Sequence, residues 1–491
     1  LIFPLFSFSF RAALNSLSPV KMKTPMEYRN FFSFIIGLYM ALTMAGCAPS
    51  YDTRIPESPG QKYQQTDVEL PSIPPRRIPE LEEGDQLSLA QCIHIAMQNS
   101  PVARLSWQKT RSARAGVDVA RADLLPQVDF SANAQRLKYQ VLTEVEDQFL
   151  RTTYDAKFSV KQLLFDSGET RAKISAAEYA LQQADFRHNE TLLDIALRVE
   201  RSYYQLLNAK ALLEVARETY EQRQKHLELA QRRMEAGKSR KVEVLQAKAK
   251  AAESRLGVVD ANDQLRQAAG QLNAAMGLNA SRKIDIREVP EEIYREEMED
   301  VDRLMAEASS QRPALKQAAT EVQRLRQWLI STKRSRGPKL TASASYGYND
   351  THLLPEEREE YTAILSLSIP LFTGFRKTAT EHEIQAEINA ALRSYEQTLR
   401  DVELSVWQAY SSVLKAREAL IAAEAYVESS REALRVAENE YEHGRATIVE
   451  LIDAQTDMTR SKARRVRSRL DWHNAVARLE RAVGRSFSGN K

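Results

Sequence analysis

The sequence predicts a mainly α-helical chain with a small transmembrane β part, written as two copies of one half. Three observations point there. The sequence repeats itself at a spacing of 207 residues, two stretches of 68 residues each lack Gly and Pro, and four short segments alternate apolar with polar side chains. Composition sets the outer bounds. At 491 residues, with 43% apolar and 27% charged, the chain is too apolar and too balanced for wholesale disorder. A net charge of +3 leaves no concentrated basic footprint, which argues against nucleic acid as a partner. Beyond the N-terminus no apolar run reaches ~18 residues, so a mature transmembrane helix is excluded while a barrel is not.

The N-terminal region reads as an address. Phe31 to Gly46 is an apolar stretch preceded by Lys21, Lys23 and Arg29, the pattern of a secretory signal. Leu42-Thr43-Met44-Ala45-Gly46-Cys47 resembles a bacterial lipobox, in which Cys47 is acylated and becomes the first residue. With Met22 or Met26 as start, residues 1–21 read as an over-extended gene start, so 1–46 is upstream region plus signal peptide. Residues 47–85 form a Pro-rich leader, holding seven of the chain's 17 prolines. Cys92 then lacks an intrachain partner. Beside His94 it makes a weak metal pair; a buried thiol and a satisfied histidine are the plainer expectation, so no metal site is assigned.

Shifting the chain by 207 residues lays Phe165 on Phe372, Tyr203 on Tyr410, Gly237 on Gly444 and Gly277 on Gly484. Upstream the shift becomes 212, placing Pro101 on Pro313 and Pro126 on Pro338. The change falls in residues 135–153, which read as a loop. The halves are residues 86–285 and 286–491. Each has the same order: a helical segment (about 87–123 and 299–336), two strands joined by a polar loop, then two long helices joined by a tight turn. The Gly- and Pro-free stretches 169–236 and 376–443, rich in strong helix formers, would each be ~100 Å long if unbroken. The return helices run from about 240 to 276 and from 447 to 483.

The strands, about 126–137, 154–165, 338–349 and 361–372, argue for lipid. In the second, Tyr154, Ala156, Phe158, Val160 and Leu164 share a face opposite Asp155, Lys157, Ser159 and Lys161. Twelve residues at ~3.3 Å each, tilted ~45°, rise ~28 Å, near the height of an apolar bilayer band. Tyr154 and Tyr361 at one end, with Phe165 and Phe372 at the other, are the expected interfacial girdle. Four strands cannot close, and open edges are intolerable in lipid. Copies must therefore pool strands; physics alone allows a dimer with 8 or a trimer with 12.

The duplicated half, Leu125-Pro126-Gln127-Val128, Leu163-Leu164-Phe165-Asp166-Ser167-Gly168 and the run Gly444 to Asp453 resemble TolC-family outer membrane efflux proteins. The lipobox is similar to the lipoprotein branch of that family. The resemblance covers about 86–485. It implies a homotrimer with a 12-stranded β-barrel in outer membrane lipid and a coiled-coil helical tunnel through the periplasm. It also implies a passive duct of a tripartite efflux or type I secretion system, without catalysis or cofactor. A periplasmic adaptor (membrane fusion) protein and an inner-membrane transporter would be its partners, and cargo choice would lie with the pump.

At the hairpin tips, Thr447 and Glu450 form a capping box by sequence. Glu450 and Asp453, three apart, share a helix face and match the family's acidic periplasmic gate. Glu243 and Gln246 are their counterparts in the first half. Gly237, Lys238 and Ser239, with Gly444, Arg445, Ala446 and Thr447, are the expected adaptor contacts. Two other readings compete. Seven scattered histidines, with no nucleophile elbow or phosphate loop, speak against an enzyme. A periplasmic coiled-coil scaffold or adaptor lipoprotein would explain the long helices but not the four membrane-height strands.

Overall fold

The computed structural model of the protein describes residues 86–141, 147–237, 239–288, 299–350 and 359–485. Cys47, the signal and the leader lie outside the described residues, as does Lys238. Among the described residues no helix is long and apolar enough to cross a membrane.

Each half opens with a pair of helices where the sequence suggests one. In the first half α1 spans Leu89–Asn99 and α2 spans Pro101–Ala122. The break has a local cause: Pro101 carries no N–H and pushes Ser100 out of the helical region, to ψ 124°. Two strands follow, β2 (Gln127–Val141) and β3 (Asp147–Phe165). A two-residue strand, β1 (Gln86–Leu87), precedes α1 and pairs in parallel with β4 (Asp285–Ile286). Between β3 and β4 lie the long helix α3 (Glu169–Glu235) and its return α4 (Lys241–Ala275).

The second half repeats this with α5 (Val301–Gln311) and α6 (Pro313–Arg334), where Pro313 holds Arg312 at ψ 120°. Strands β5 (Lys339–Asp350) and β6 (Glu359–Ser368) come next, then α7 (Arg376–Glu442) and α8 (Ile448–Val483). Three expectations need correction. Each opening helix is two. The stretch 135–153 is mostly strand, since β2 runs to Val141 and β3 begins at Asp147. The last strand stops at Ser368 rather than 372, because Pro370 cannot donate to a ladder.

The repeat is visible in the packing. Leu87, Cys92, Ala96, Ile195, Val199 and Tyr203 are core residues of the first half, and Leu304, Ala308, Val402 and Val406 form a matching core in the second. Cys92 stands where the other copy has Leu304, is fully buried, and has its thiol pushed up to about 12 by burial. It serves as a small hydrophobe. His94 is exposed and contacts Gln98 at 2.8 Å. The Tyr203 hydroxyl donates to the Arg287 carbonyl at 2.6 Å and fastens β4 to α3.

The strand-to-helix turn needs two successive left-handed residues. The first half supplies Ser167 (φ 58°) and Gly168 (φ 83°); the second supplies Gly374 (φ 60°) and Phe375 (φ 58°). One glycine of each pair relieves the steric cost at a different position.

Candidate functional site

Two places carry the chemistry: the sheet and the hairpin tips. The sheet is antiparallel in the order β2-β3-β5-β6, so strands from both halves meet at β3 and β5. Its register keeps the alternation in phase across all four strands. Val128, Val160, Ala344 and Ala363 form one cross-strand row of the apolar face. Phe130, Phe158, Tyr346 and Tyr361 form the next row, each directly opposite its neighbour. These four aromatics are more than half exposed, and the Phe130 and Phe158 ring centres lie 4.9 Å apart. Asp129, Ser159, Ser345 and Thr362 form a row of the opposite, polar face. Leu365 and Leu367 are also largely exposed, so the apolar face is uncovered among the described residues.

This register changes the girdle expected from sequence. Tyr154 sits inside β3, seven residues from its start, opposite Asp350; it is not level with Tyr361. Tyr361 instead joins the row of Phe130, Phe158 and Tyr346. Phe165 ends β3 opposite Leu340, after a bulge between Leu163 and Phe165. Phe372 lies beyond β6, edge-on to Phe375 at 5.4 Å. Gly347 is required by the fit: a Cβ there would lie 2.3 Å from the Ala156 carbonyl oxygen.

At the tips, Gly237 (φ 71°) and Gly444 (φ 74°) take the left-handed conformation that ends α3 and α7. The Arg445 N–H donates back to the Glu440 carbonyl at 2.8 Å. Thr447 and Glu450 make the capping box: the Glu450 N–H donates to Thr447 Oγ1 at 3.3 Å, and the Thr447 N–H donates to Glu450 Oε2 at 2.8 Å. Glu450 and Asp453 are exposed on one face of α8. The first half differs. Glu243 accepts from the Ser239 hydroxyl at 2.7 Å and lies 3.4 Å from Arg240 Nε, with no capping box. The Ser239 hydrogen bond and then Arg240 hold the Glu243 carboxyl below the usual range. Gln246 is exposed. The four residues expected at a gate thus divide: Glu450 and Asp453 face solvent together, while Glu243 is drawn into its own turn.

Sequence reasoning missed a clasp between the hairpins. Arg233, near the end of α3, donates to the Tyr441 carbonyl at the end of α7, and its guanidinium lies 4.6 Å from the Tyr441 ring centre. Higher up, Arg223 donates to Thr456 at 3.0 Å and Lys462 pairs with Glu218. Such contacts join residues more than 200 positions apart. No local pattern announces them.

A family profile described as outer membrane efflux protein matches residues 92–278 and 304–485, one block for each copy of the repeat. The chain is 27% identical to protein CyaE of Bordetella pertussis over 396 residues, covering 79% of this chain and 82% of that protein. It is 24% identical to the outer membrane protein TolC of Vibrio cholerae, covering 81% and 90%. In three dimensions it resembles the outer membrane protein VceC of Vibrio cholerae, with a TM-score of 0.69, 20% identity, and 82% and 97% of the two chains covered. Its doubled fold and both matched blocks agree: the chain belongs to the outer membrane efflux protein family.

Proposed function

We propose that the chain is the outer membrane duct of a tripartite export system, in which three copies pool their strands into one 12-stranded barrel. Family membership carries the coarser part: an outer membrane efflux channel, not an enzyme. One observation carries the assembly. The four-stranded sheet presents an uncovered apolar face, and its outer strands β2 and β6 each pair on one side only among the described residues. In lipid such edges demand partners, which only further copies of the same sheet supply in matching geometry. In this reading the exposed aromatic row lies at one membrane interface. That face also disfavours a periplasmic scaffold, whose sheet would have to expose the same rows to water.

In this reading Glu450 and Asp453 of three chains ring the periplasmic mouth and favour cations. The turns at Gly237 to Ser239 and Gly444 to Thr447 meet a periplasmic adaptor, which couples the duct to an inner-membrane transporter. Cys47 carries an auxiliary lipid, weaker as an anchor than a closed barrel. The purified full-length protein in planar bilayers tests the assembly. Discrete ion conductance from a detergent-stable trimer is expected; a water-soluble monomer that never conducts overturns the proposal.

A further inference from the structure

Helix α8 carries three lengthwise tracks, and two of them are occupied. Leu451, Met458, Trp472 and Ala475 are buried members of clusters shared with α7. Thr456, Thr459 and Lys462 contact α3 through Arg223, Thr219 and Glu218. Among the described residues the third track makes no hydrogen bond or ion pair to either helix. Glu450, Asp453, Asp457, Arg460, Arg464 and Arg467 follow one another at alternating intervals of three and four residues, and all are exposed. That spacing keeps one face aligned along a supercoiled helix.

The charge on this track changes sign with height. Glu450 and Asp453 are acidic. Asp457 and Arg460 pair at 2.7 Å and cancel. Arg464 and Arg467 have no hydrogen-bond or ion-pair partner among the described residues. Asp471, one turn beyond Arg467, is also without a salt bridge among the described residues and is the nearest opposing charge along the track. Helix packing does not call for these arginines, because the corresponding positions of α4 hold Gly257 and Asp260.

We propose that Arg464 and Arg467 form a cationic belt inside the duct that binds polyvalent small-molecule anions, those bearing several carboxylates or phosphates. The assignment rests on the duct reading above, in which Glu450 and Asp453 face the axis; the shared track then turns both arginines inward. Fourteen residues separate Glu450 from Arg464, about 21 Å along the helix. That exceeds a Debye length of about 8 Å at physiological salt, so gate and belt act as separate fields. Guanidinium groups suit the task because each grips a carboxylate or phosphate through two parallel N–H donors. An anion passing the mouth would meet six such groups in a trimer.

The full-length protein in planar bilayers supplies the test, with inositol hexaphosphate as anionic blocker and spermine as cationic blocker on the tip side. Wild type is expected to be blocked by both. R464Q/R467Q should require at least about tenfold more inositol hexaphosphate at unchanged spermine sensitivity, and R464K/R467K should stay near wild type. E450Q/D453N should do the reverse, losing spermine block and keeping the anion block. If the double Gln variant does not assemble, the single replacements R464Q and R467Q must each weaken the anion block. Conducting wild-type channels that ignore inositol hexaphosphate overturn the belt, as do arginine variants blocked at the wild-type concentration. Wild type that never conducts overturns the duct reading instead.

Discussion

Arg233 lies over the ring of Tyr441 and donates to that residue's own carbonyl oxygen, so one side chain grips the last turn of the opposite long helix twice. Tyr441 is buried, at 1% exposure, and its carbonyl lies in the last turn of α7, where it also accepts from the Gly444 N–H at 3.0 Å. A cation there also complements the helix dipole. The clasp therefore joins the first copy's hairpin to the second's where the chain turns.

Removing it should loosen the tips. Arg233→Ala is expected to cost about 1–3 kcal/mol, from the lost cation–π contact and charged hydrogen bond. Raised single-channel conductance, with the trimer intact on a detergent gel, is the expected readout. Unchanged conductance would assign the clasp to stability alone.

The acidic pair needs a test that spares the helix cap. Glu450 is half of the capping box, so replacement by Ala removes both a charge and a cap worth about 1 kcal/mol. E450Q/D453N keeps the reciprocal hydrogen bond while removing the charge. Cation preference, read as a reversal potential in a salt gradient, should fall at an unchanged melting temperature. A reversal potential equal to wild type would dismiss these two residues as the gate.

Stability should vary with pH through two buried groups on α3 and α8. Burial, with Glu480 nearby, raises the Glu200 carboxyl from 4.5 to about 8. The folded chain thus holds a proton that the unfolded chain releases above about 4.5, so this stabilisation is complete in acid and lost as pH rises to about 8. His473, stacked on Tyr204 at 4.2 Å, is driven by burial from 6.5 down to about 4. Its contribution is present above 6.5 and lost as pH falls toward 4. Glu200→Gln should flatten the alkaline decline in melting temperature and leave the acid limb in place. An alkaline limb identical to wild type would contradict the assignment.

The two faces of the sheet should respond oppositely to charge. Leu365 is 66% exposed on the apolar face, whereas its neighbour Ser366 belongs to the polar one. Leu365→Arg is expected to cost about 2–4 kcal/mol near the middle of a bilayer, and Ser366→Arg little. Heat resistance of the trimer in detergent and recovery from outer membrane fractions would show it. Equal tolerance at both positions would place the sheet outside lipid.

Everything that depends on neighbours along the chain was legible in the sequence. The repeat at 207 residues, the absence of Gly and Pro across 169–236 and 376–443, the capping box at Thr447 and Glu450, and the alternating strands are local patterns. They determined helices, strands, turns and the doubled plan. Even the misread breaks at Pro101 and Pro313 were written locally, since a proline constrains the residue before it. The tertiary structure alone decided what those elements meet. Strand register set Tyr361 level with Phe130, Phe158 and Tyr346 instead of Tyr154, because pairing between β3 and β5 joins residues nearly 200 positions apart. The Arg233 clasp and the free track of α8 arise in the same way. Periodicity reveals that a helix has faces, but only packing between the two copies determines which faces are covered and which remain open.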